Sequence, residues 1–306
     1  MSDARRYKRV IVLSGGVSAE RDGSKRNGQE CARDLRECGY DVVEMDVDHD
    51  IVKRLRAAKP DVVFNGAYGR GVEDGAIQGV LEWLRIPYTH SGVGVSALAM
   101  DKARTKDVLA AHGLPVPMGR SLTRESLGMG HPMKPPYILK PNAEGSSVGI
   151  RLVLSDDDDI LSGDVEIPES LIVEAFIPGR DLTVAIVGGA AVGVTEIKSQ
   201  SGLWDRAAKH GEIPCTLETP ARVPSTVEER CRELAEASHR ILGCRVVSRV
   251  DLRWEEEKGP DGVVILEVNT QPAMYDGSSF ATQLASCGMA RRDVCELLMA
   301  NASLYG

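Results

Sequence analysis

The sequence predicts an α/β protein whose N-terminal part is a parallel sheet and whose remainder mixes strands and helices in an α+β manner. Strands and helices alternate over the first ninety residues, and later apolar strands come in adjacent pairs around one long helix. Size adds a third constraint: 306 residues, 42% of them hydrophobic, exceed what one compact unit usually holds, so two or three domains are expected.

The alternation starts with RVIVLSGG (residues 9–16), a strand, followed by a helix over 24–39 that stops at a glycine. A strand (40–48), a helix (51–60), a strand (61–69) and a helix (75–86) complete the segment. This rhythm gives a parallel, Rossmann-like sheet with helices on both faces, and ligands of such sheets gather at the carboxyl ends of the strands. Those ends carry SGGVSAERDGS and NGAYGRGVEDG. A continuous helix is predicted for ALAMDKARTKDVLAAHG (97–113), then a strand pair, YILKPNA and VGIRLVL. SLIVEAFIPGRDLTVAIVGG holds two strands about Pro178-Gly179, and a helix over 226–242 precedes two long strands, CRVVSRVDLRW and GVVILEVNT. There are no internal repeats and no low-complexity linker.

Charge and composition exclude several classes. With 37 Lys+Arg against 45 Asp+Glu, net −8, no nucleic-acid or anionic-membrane surface is expected. No apolar run approaches a membrane span, and the N-terminus passes from charges straight into a strand without a signal core, so a cytoplasmic protein is expected. The seven cysteines are scattered, without CxxC or Cys/His clusters, and read as buried reduced thiols. Asp156 to Asp159 read as a solvated turn, His112, His131 and His239 as surface or core residues, and Trp83 and Trp254 as packing residues.

Chemistry concentrates in three places. Lys140 ends a strand just before the Gly/Ser loop EGSSVG, the reverse of the phosphate loop in which lysine follows the glycines. In SRVDL, Arg249 and Asp251 share one strand face, and in LEVNT, Glu267 and Asn269 do the same. If the strands pair, Asp251, Glu267 and Asn269 form an all-oxygen set suited to Mg2+, which takes carboxylates together with phosphates and water. Either strand alone reads as a solvated face; both together, behind a lysine hairpin, favour a magnesium–nucleotide site.

KPNAEGSSVGI, SRVDL and LEVNTQP together resemble the signatures of the D-alanine–D-alanine ligases of the ATP-grasp superfamily. GGVSAER, GRGVEDG with QGVLE, IPYTHSGV and SALAMDKARTK extend the resemblance along nearly the whole chain in the right order. It implies an N-terminal domain over 1–90 and two antiparallel-sheet ATP-grasp domains over 91–177 and 178–306, together with a homodimer. ATP and Mg2+ or Mn2+, as two ions, are the implied cofactors, and the substrates are small molecules.

By the same resemblance, Lys102 and Lys140 hold the nucleotide phosphates, and Lys209 reaches the terminal phosphate from a lid loop over 199–211. Glu174, with Ala175 through Ile177, matches the adenine hinge, and Asp181 the ribose contact. Asp251, Glu267 and Asn269 match the metal ligands, and Arg249 the residue that steadies the tetrahedral intermediate. Glu20 matches the acceptor of the first substrate's ammonium group, Ser146 its hydrogen-bonded neighbour, and Ser278 a contact to the second substrate's carboxylate. The implied reaction phosphorylates a carboxylate, because oxide is no leaving group, and then lets an amine displace phosphate.

The nucleotide residues match the family pattern; the substrate pocket departs from it. Tyr68-Gly69 stands for His-Gly, Val72 for a glycine, Gly23 for an apolar side chain, and Pro272-Ala273-Met274 for Pro-Gly-Met. Ser278-Ser279 replaces Ser-Leu, and WDRAAKH replaces a tyrosine-rich lid motif, with Trp204, Arg206 and His210 at the changed places. Tyr68, Ala273, Ser278 and Ser279 therefore count as substrate contacts and His210 as a titratable replacement for tyrosine. Three functions fit: dipeptide ligation of two D-alanines, ligation of a D-amino acid to another acid or amine, or nucleotide binding without catalysis.

Overall fold

Strand β1 (Arg9–Gly15) lies at the centre of a parallel three-stranded sheet, between β2 (Asp41–Val47) and β3 (Val62–Asn65). The protein is seen here as a computed structural model that describes residues 6–127, 130–145, 149–158, 160, 168–199 and 215–305. Successive β1 side chains point to opposite faces. Val10 and Val12 pack on Cys31, Ala32 and Leu35 of α1 (Arg21–Glu37). Ile11 and Leu13 pack on Ile51 and Leu55 of α2 (Ile51–Ala58) and on Ile77 and Leu81 of α3 (Ala76–Trp83). Helices therefore cover both faces, as the alternation predicted.

The helix expected over 97–113 is two helices, α4 (Val93–Met100) and α5 (Lys102–Ala111), broken at Asp101. Asp101 takes an extended conformation, and its carboxylate caps α5 by accepting the Arg104 N–H at 3.0 Å. Asn142 completes the break: its carbonyl accepts the Lys102 N–H at 3.2 Å and its Oδ1 the Ala103 N–H at 2.9 Å. Helix-forming residues on both sides hide the break in the sequence, yet it is what sets Lys102 beside the strand that ends in Lys140.

The second sheet runs β4 (Gly119–Thr123), β7 (Ser170–Ala175), β5 (Tyr137–Pro141), β6 (Arg151–Val153), all antiparallel. Helix α6 (Arg124–Leu127) follows β4. The expected hairpin is present, with Tyr137 opposite Val153.

The third sheet is antiparallel, in the order β10 (Cys215–Glu218), β9 (Ala190–Ser199), β8 (Arg180–Val187), β11 (Val247–Trp254), β12 (Val263–Asn269). Helix α7 (Ser225–Leu242) buries Val227, Cys231, Leu234 and Ala235 against one face. Helices α8 (Ser279–Ser286) and α9 (Arg291–Ala300) cover part of the other, and their Phe280, Leu284, Val294 and Leu298 share one core with Val10, Val12 and α1. That shared core fixes the N-terminal loops over the ends of β11 and β12. Strands β4, β9 and β10, helices α6, α8 and α9 and the short 3-10 turn Glu256–Gly262 were not read from the sequence.

Several smaller expectations change. Trp83 is 86% exposed rather than packed in the core, whereas Trp254 is buried and donates its indole N–H to the Gly259 carbonyl at 2.8 Å. All seven cysteines are free, but only Cys31, Cys231 and Cys295 are buried; Cys287 is exposed. Asp158 accepts the Leu154 and Ser155 N–H groups at 2.6 and 3.1 Å, a solvated turn as expected. His239 is a core residue hydrogen-bonded to Ser248 Oγ at 2.7 Å; burial pushes its imidazole down to about 4, so it stays neutral. No described helix is long and apolar enough to cross a membrane.

Candidate active site

Strands β11 and β12 pair in the register that the sequence pattern required: Arg249 opposite Asn269, Val250 opposite Val268, Asp251 opposite Glu267. The register shifts immediately after Asp251, so the bend falls just past the acidic pair. Arg249 donates to both Asp251 oxygens, Nε to Oδ1 and Nη2 to Oδ2, each at 2.8 Å. Thr183 Oγ1, on β8, donates to the same Oδ1 at 2.7 Å. Burial opposes the Arg249 charge, but Asp251 more than offsets it and holds the guanidinium pKa above its ordinary value. Lys102 Nζ lies 3.6 Å from Glu267 Oε2 and donates to the Glu144 carbonyl at 2.7 Å. Asn269 Oδ1 accepts the Gln271 N–H at 2.8 Å.

A cleft between the second and third sheets runs from these carboxylates to the Ala175–Ile177 segment, lined by Lys102, Lys140, Glu174, Asp181, Asp251 and Glu267 among others. Glu174, buried at its floor, ion-pairs with both Lys106 and Lys140. Burial opposes its charge, yet Lys140 and Lys106 hold the carboxyl down to about 2. One carboxylate cannot neutralise two buried cations, so burial and the neighbouring Lys140 push Lys106 down to about 7.

At the far end, Arg253 joins the Asp181 carboxylate at 2.7 Å and donates Nε to the Ile177 carbonyl at 3.0 Å, fixing the hinge to β11. The Ala175 and Phe176 N–H groups are taken by the Met118 and Pro136 carbonyls, at 2.8 and 3.2 Å. Sequence reasoning missed Lys106 and Arg253. Lys106 carries a legible signal, since it stands four residues after Lys102 on one helix and so shares its face.

A second cavity, of about 590 Å³, opens from Glu267 and Asn269 toward the N-terminal sheet. Glu20, Gly23, Tyr68, Glu73, Gly145, Arg249, Ala273, Ser278 and Ser279 line it. Glu20 sits just ahead of the first turn of α1, packed so tightly that a Cβ on Gly145 would stand 2.8 Å from its carboxyl carbon. A Cβ on Gly69 would stand 3.0 Å from Glu20 Oε2, so the loop glycines are required by close approach as well as by the φ of +102° at Gly69. Burial and the nearby Glu20 push the Glu73 carboxyl up to about 8, so it is protonated at neutral pH.

Ser278 caps α8, its Oγ accepting the Ala281 N–H at 3.2 Å, which leaves the hydroxyl proton for an anion at the positive end of the helix. Two buried amides fasten the two sides of this cavity. Asn27 on α1 donates to the Gly66 carbonyl at 2.7 Å and accepts the Met274 N–H at 2.6 Å. Gln271 donates to the Ala67 carbonyl and accepts from Asn65 Nδ2 at 3.1 Å. Asn27 carries no motif that would mark it beforehand, and Gln271, though it stands within LEVNTQP, was given no role from the sequence. Ser146, Lys209 and His210, with most of the lid loop, lie outside the described residues.

Residues 109–300 match the family model for the C-terminal part of D-ala D-ala ligases. The chain is 46% identical to a D-alanine–D-alanine ligase of Cereibacter sphaeroides over 98% of its own length and 97% of the relative's. The chain belongs to the D-alanine–D-alanine ligase family. A ligase of that name from Roseobacter denitrificans is 45% identical over 98% of the chain and 94% of the relative. Among solved structures, the D-alanine–D-alanine ligase of Bacillus anthracis complexed with ATP superposes with a TM-score of 0.79 at 25% identity, covering 96% of both chains. VanG, a D-Ala:D-Ser ligase from Enterococcus faecalis, shares the fold with a TM-score of 0.77 at 23% identity, covering 96% of this chain and 99% of the other. The architecture seen here, a parallel three-stranded sheet followed by two antiparallel sheets, matches that of these ligase structures.

Proposed function

We propose that this chain is an ADP-forming ligase that joins two D-alanines through an acyl phosphate, supplying a dipeptide for peptidoglycan. The observation that carries the reading is that two adjoining cavities share Lys102, Glu144 and Glu267 as walls: a cleft lined by Lys140 and Glu174, with Lys106 paired to Glu174, and a cavity that reaches Glu20. Relatives at 44–46% identity carry the dipeptide-ligase name, which supports D-alanine as the second substrate. Retention of Lys102, Lys140, Asp251, Glu267 and Asn269 speaks against a non-catalytic relative.

In this reading Lys102 and Lys140, with Lys209 from the lid, hold the phosphates, while Glu174 and the Ala175–Ile177 segment receive adenine and Asp181 the ribose. The donor set fits Mg2+ or Mn2+: two carboxylates face each other across the strands, with the Asn269 amide two residues on and phosphate oxygens to complete the shell. Bound there as two ions, the metal would neutralise charge on the transferring phosphoryl group. Glu20 accepts the first substrate's ammonium group, a role in which the family resemblance adds Ser146 and His210. Arg249, its guanidinium held rigid by Asp251, faces the cavity where the tetrahedral oxyanion forms. Ser278 and Ser279, at the start of α8, receive the second carboxylate, with Tyr68 and Ala273 completing the walls.

The division at residues 90 and 177, a homodimer and a cytoplasmic location belong to the same proposal, as does the absence of nucleic-acid and membrane partners. The net charge of −8 supports that absence. The test is ADP release with D-alanine alone and then with D-alanine plus D-lactate, D-serine or other amines. D-alanine alone is expected to support full turnover; release only with a different second substrate would replace D-alanine in that role.

A further inference from the structure

Gly23 stands in the first turn of α1, with an ordinary helical backbone that any residue can adopt. Its lack of a side chain is therefore a matter of space. A Cβ placed on it would overlap the Tyr68 hydroxyl oxygen and stand 3.2 Å from Tyr68 Cζ. The Tyr68 phenol thus fills the volume that a side chain at position 23 would otherwise occupy. The ring is tied to the same helix turn, since the Tyr68 N–H donates to Ser24 Oγ at 3.2 Å. Both residues line the cavity that holds Glu20. Burial, and then the nearby Tyr275 and the negative charge of Glu20, keep the phenol protonated throughout the physiological range. What faces the Glu20 end of the cavity is a neutral hydroxyl, able to donate and to accept, where an aliphatic side chain would offer neither.

We infer that Gly23 and Tyr68 form one interdependent unit that sets the side-chain allowance of the first amino-acid subsite, closing it to bulky groups while offering a hydrogen bond to a side-chain hydroxyl. The substrate class is small D-amino acids, D-alanine and D-serine, with D-serine accepted in the first position. The inference rests on the assignment of Glu20 to the first substrate's ammonium group. Tyrosine and glycine are coupled because the phenol fits only where the helix lacks a Cβ.

The test is a cycle of Gly23→Ala, Tyr68→Phe and the double variant, assayed with equimolar D-alanine and D-serine, the order of residues in each dipeptide being read by tandem mass spectrometry. Alanine strengthens a helix, so an intact thermal transition is expected for Gly23→Ala, and Gly23→Ser serves as a second probe of the same space. The Michaelis constant for the first D-alanine should rise at least tenfold in Gly23→Ala. It should return to within about threefold of the Tyr68→Phe value in the double variant, because the overlapping oxygen is gone. The ratio of D-serine to D-alanine in the first position should fall at least fivefold in Tyr68→Phe, with the second position unchanged. Independent, multiplying effects of the two substitutions, or an unchanged first-position ratio, overturn the inference. Failure of the wild type to make any dipeptide overturns the ligase reading instead.

Discussion

Asp251 and Glu267 are direct cross-strand partners in the last register of β11 and β12 before the pairing shifts, and each is held by a different cation, Arg249 and Lys102. The two acids therefore differ in what their loss would do. Glu267→Gln is expected to lower kcat roughly 100-fold or more with little change in thermal stability, since it removes charge at the phosphates. Asp251→Asn should lose activity similarly and also unfold earlier. It weakens the partner of a buried guanidinium, and breaking such a pair costs up to about 3–5 kcal/mol. Equal thermal midpoints for the two variants, measured by calorimetry, would contradict the distinction.

Lys106 should matter to nucleotide alone. Lys106→Met leaves Glu174 with only Lys140 beneath the nucleotide cleft, so the KM for ATP is expected to rise about tenfold, the value of a lost charged hydrogen bond. The KM values for D-alanine should stay within about twofold, because Lys106 does not line the amino-acid cavity. Steady-state kinetics with each substrate varied in turn decide this.

Glu73 gives the fold a pH dependence of defined sign. Folded, Glu73 keeps its proton up to about pH 8, whereas an unfolded carboxyl releases it near its ordinary value of 4.5. Across that window the folded state binds more protons, so this contribution to stability is fully present below about pH 4.5 and is lost as pH rises through about 8. Glu73→Gln should flatten this decline, removing a slope of up to about 1.4 kcal/mol per pH unit. Urea unfolding at several pH values measures it; parallel profiles for wild type and variant would show Glu73 to be ionised in the folded state.

Much of this site was legible beforehand, and the reason is strand periodicity. A two-residue repeat forces Arg249 with Asp251, and Glu267 with Asn269, onto common faces, so only their pairing had to be supplied by the fold. The alternation of the first ninety residues likewise fixed the parallel sheet. Four kinds of feature stayed hidden. The break at Asp101 depends on Asn142, forty-one residues away, which supplies the capping bonds. The exposure of Trp83 depends on what packs over α3, to which local pattern is blind. Asn27 and Gln271 gain their meaning only when two distant loops meet, and short amphipathic helices such as α8 leave too few turns for a clear period.

The Asn27 bridge yields its own expectation. Asn27→Ala leaves the Gly66 carbonyl and the Met274 N–H without their partners in a buried place, a cost of about 1–3 kcal/mol for each group. Because Met274 adjoins Ala273 and leads to Ser278, the KM of the second D-alanine should rise several-fold more than that of ATP. An equal rise in both constants would indicate a general loosening instead.

In the proposed reaction the γ-phosphoryl group passes to the carboxylate of the first D-alanine before the amine attacks. This order of events is followed with D-alanine labelled by 18O in both carboxyl oxygens, wild-type protein, ATP and Mg2+, with mass analysis of the phosphate released. Acyl-phosphate chemistry at this site predicts one 18O atom in each phosphate and one dipeptide per ADP. Phosphate free of label, or ADP formed without dipeptide, would contradict it.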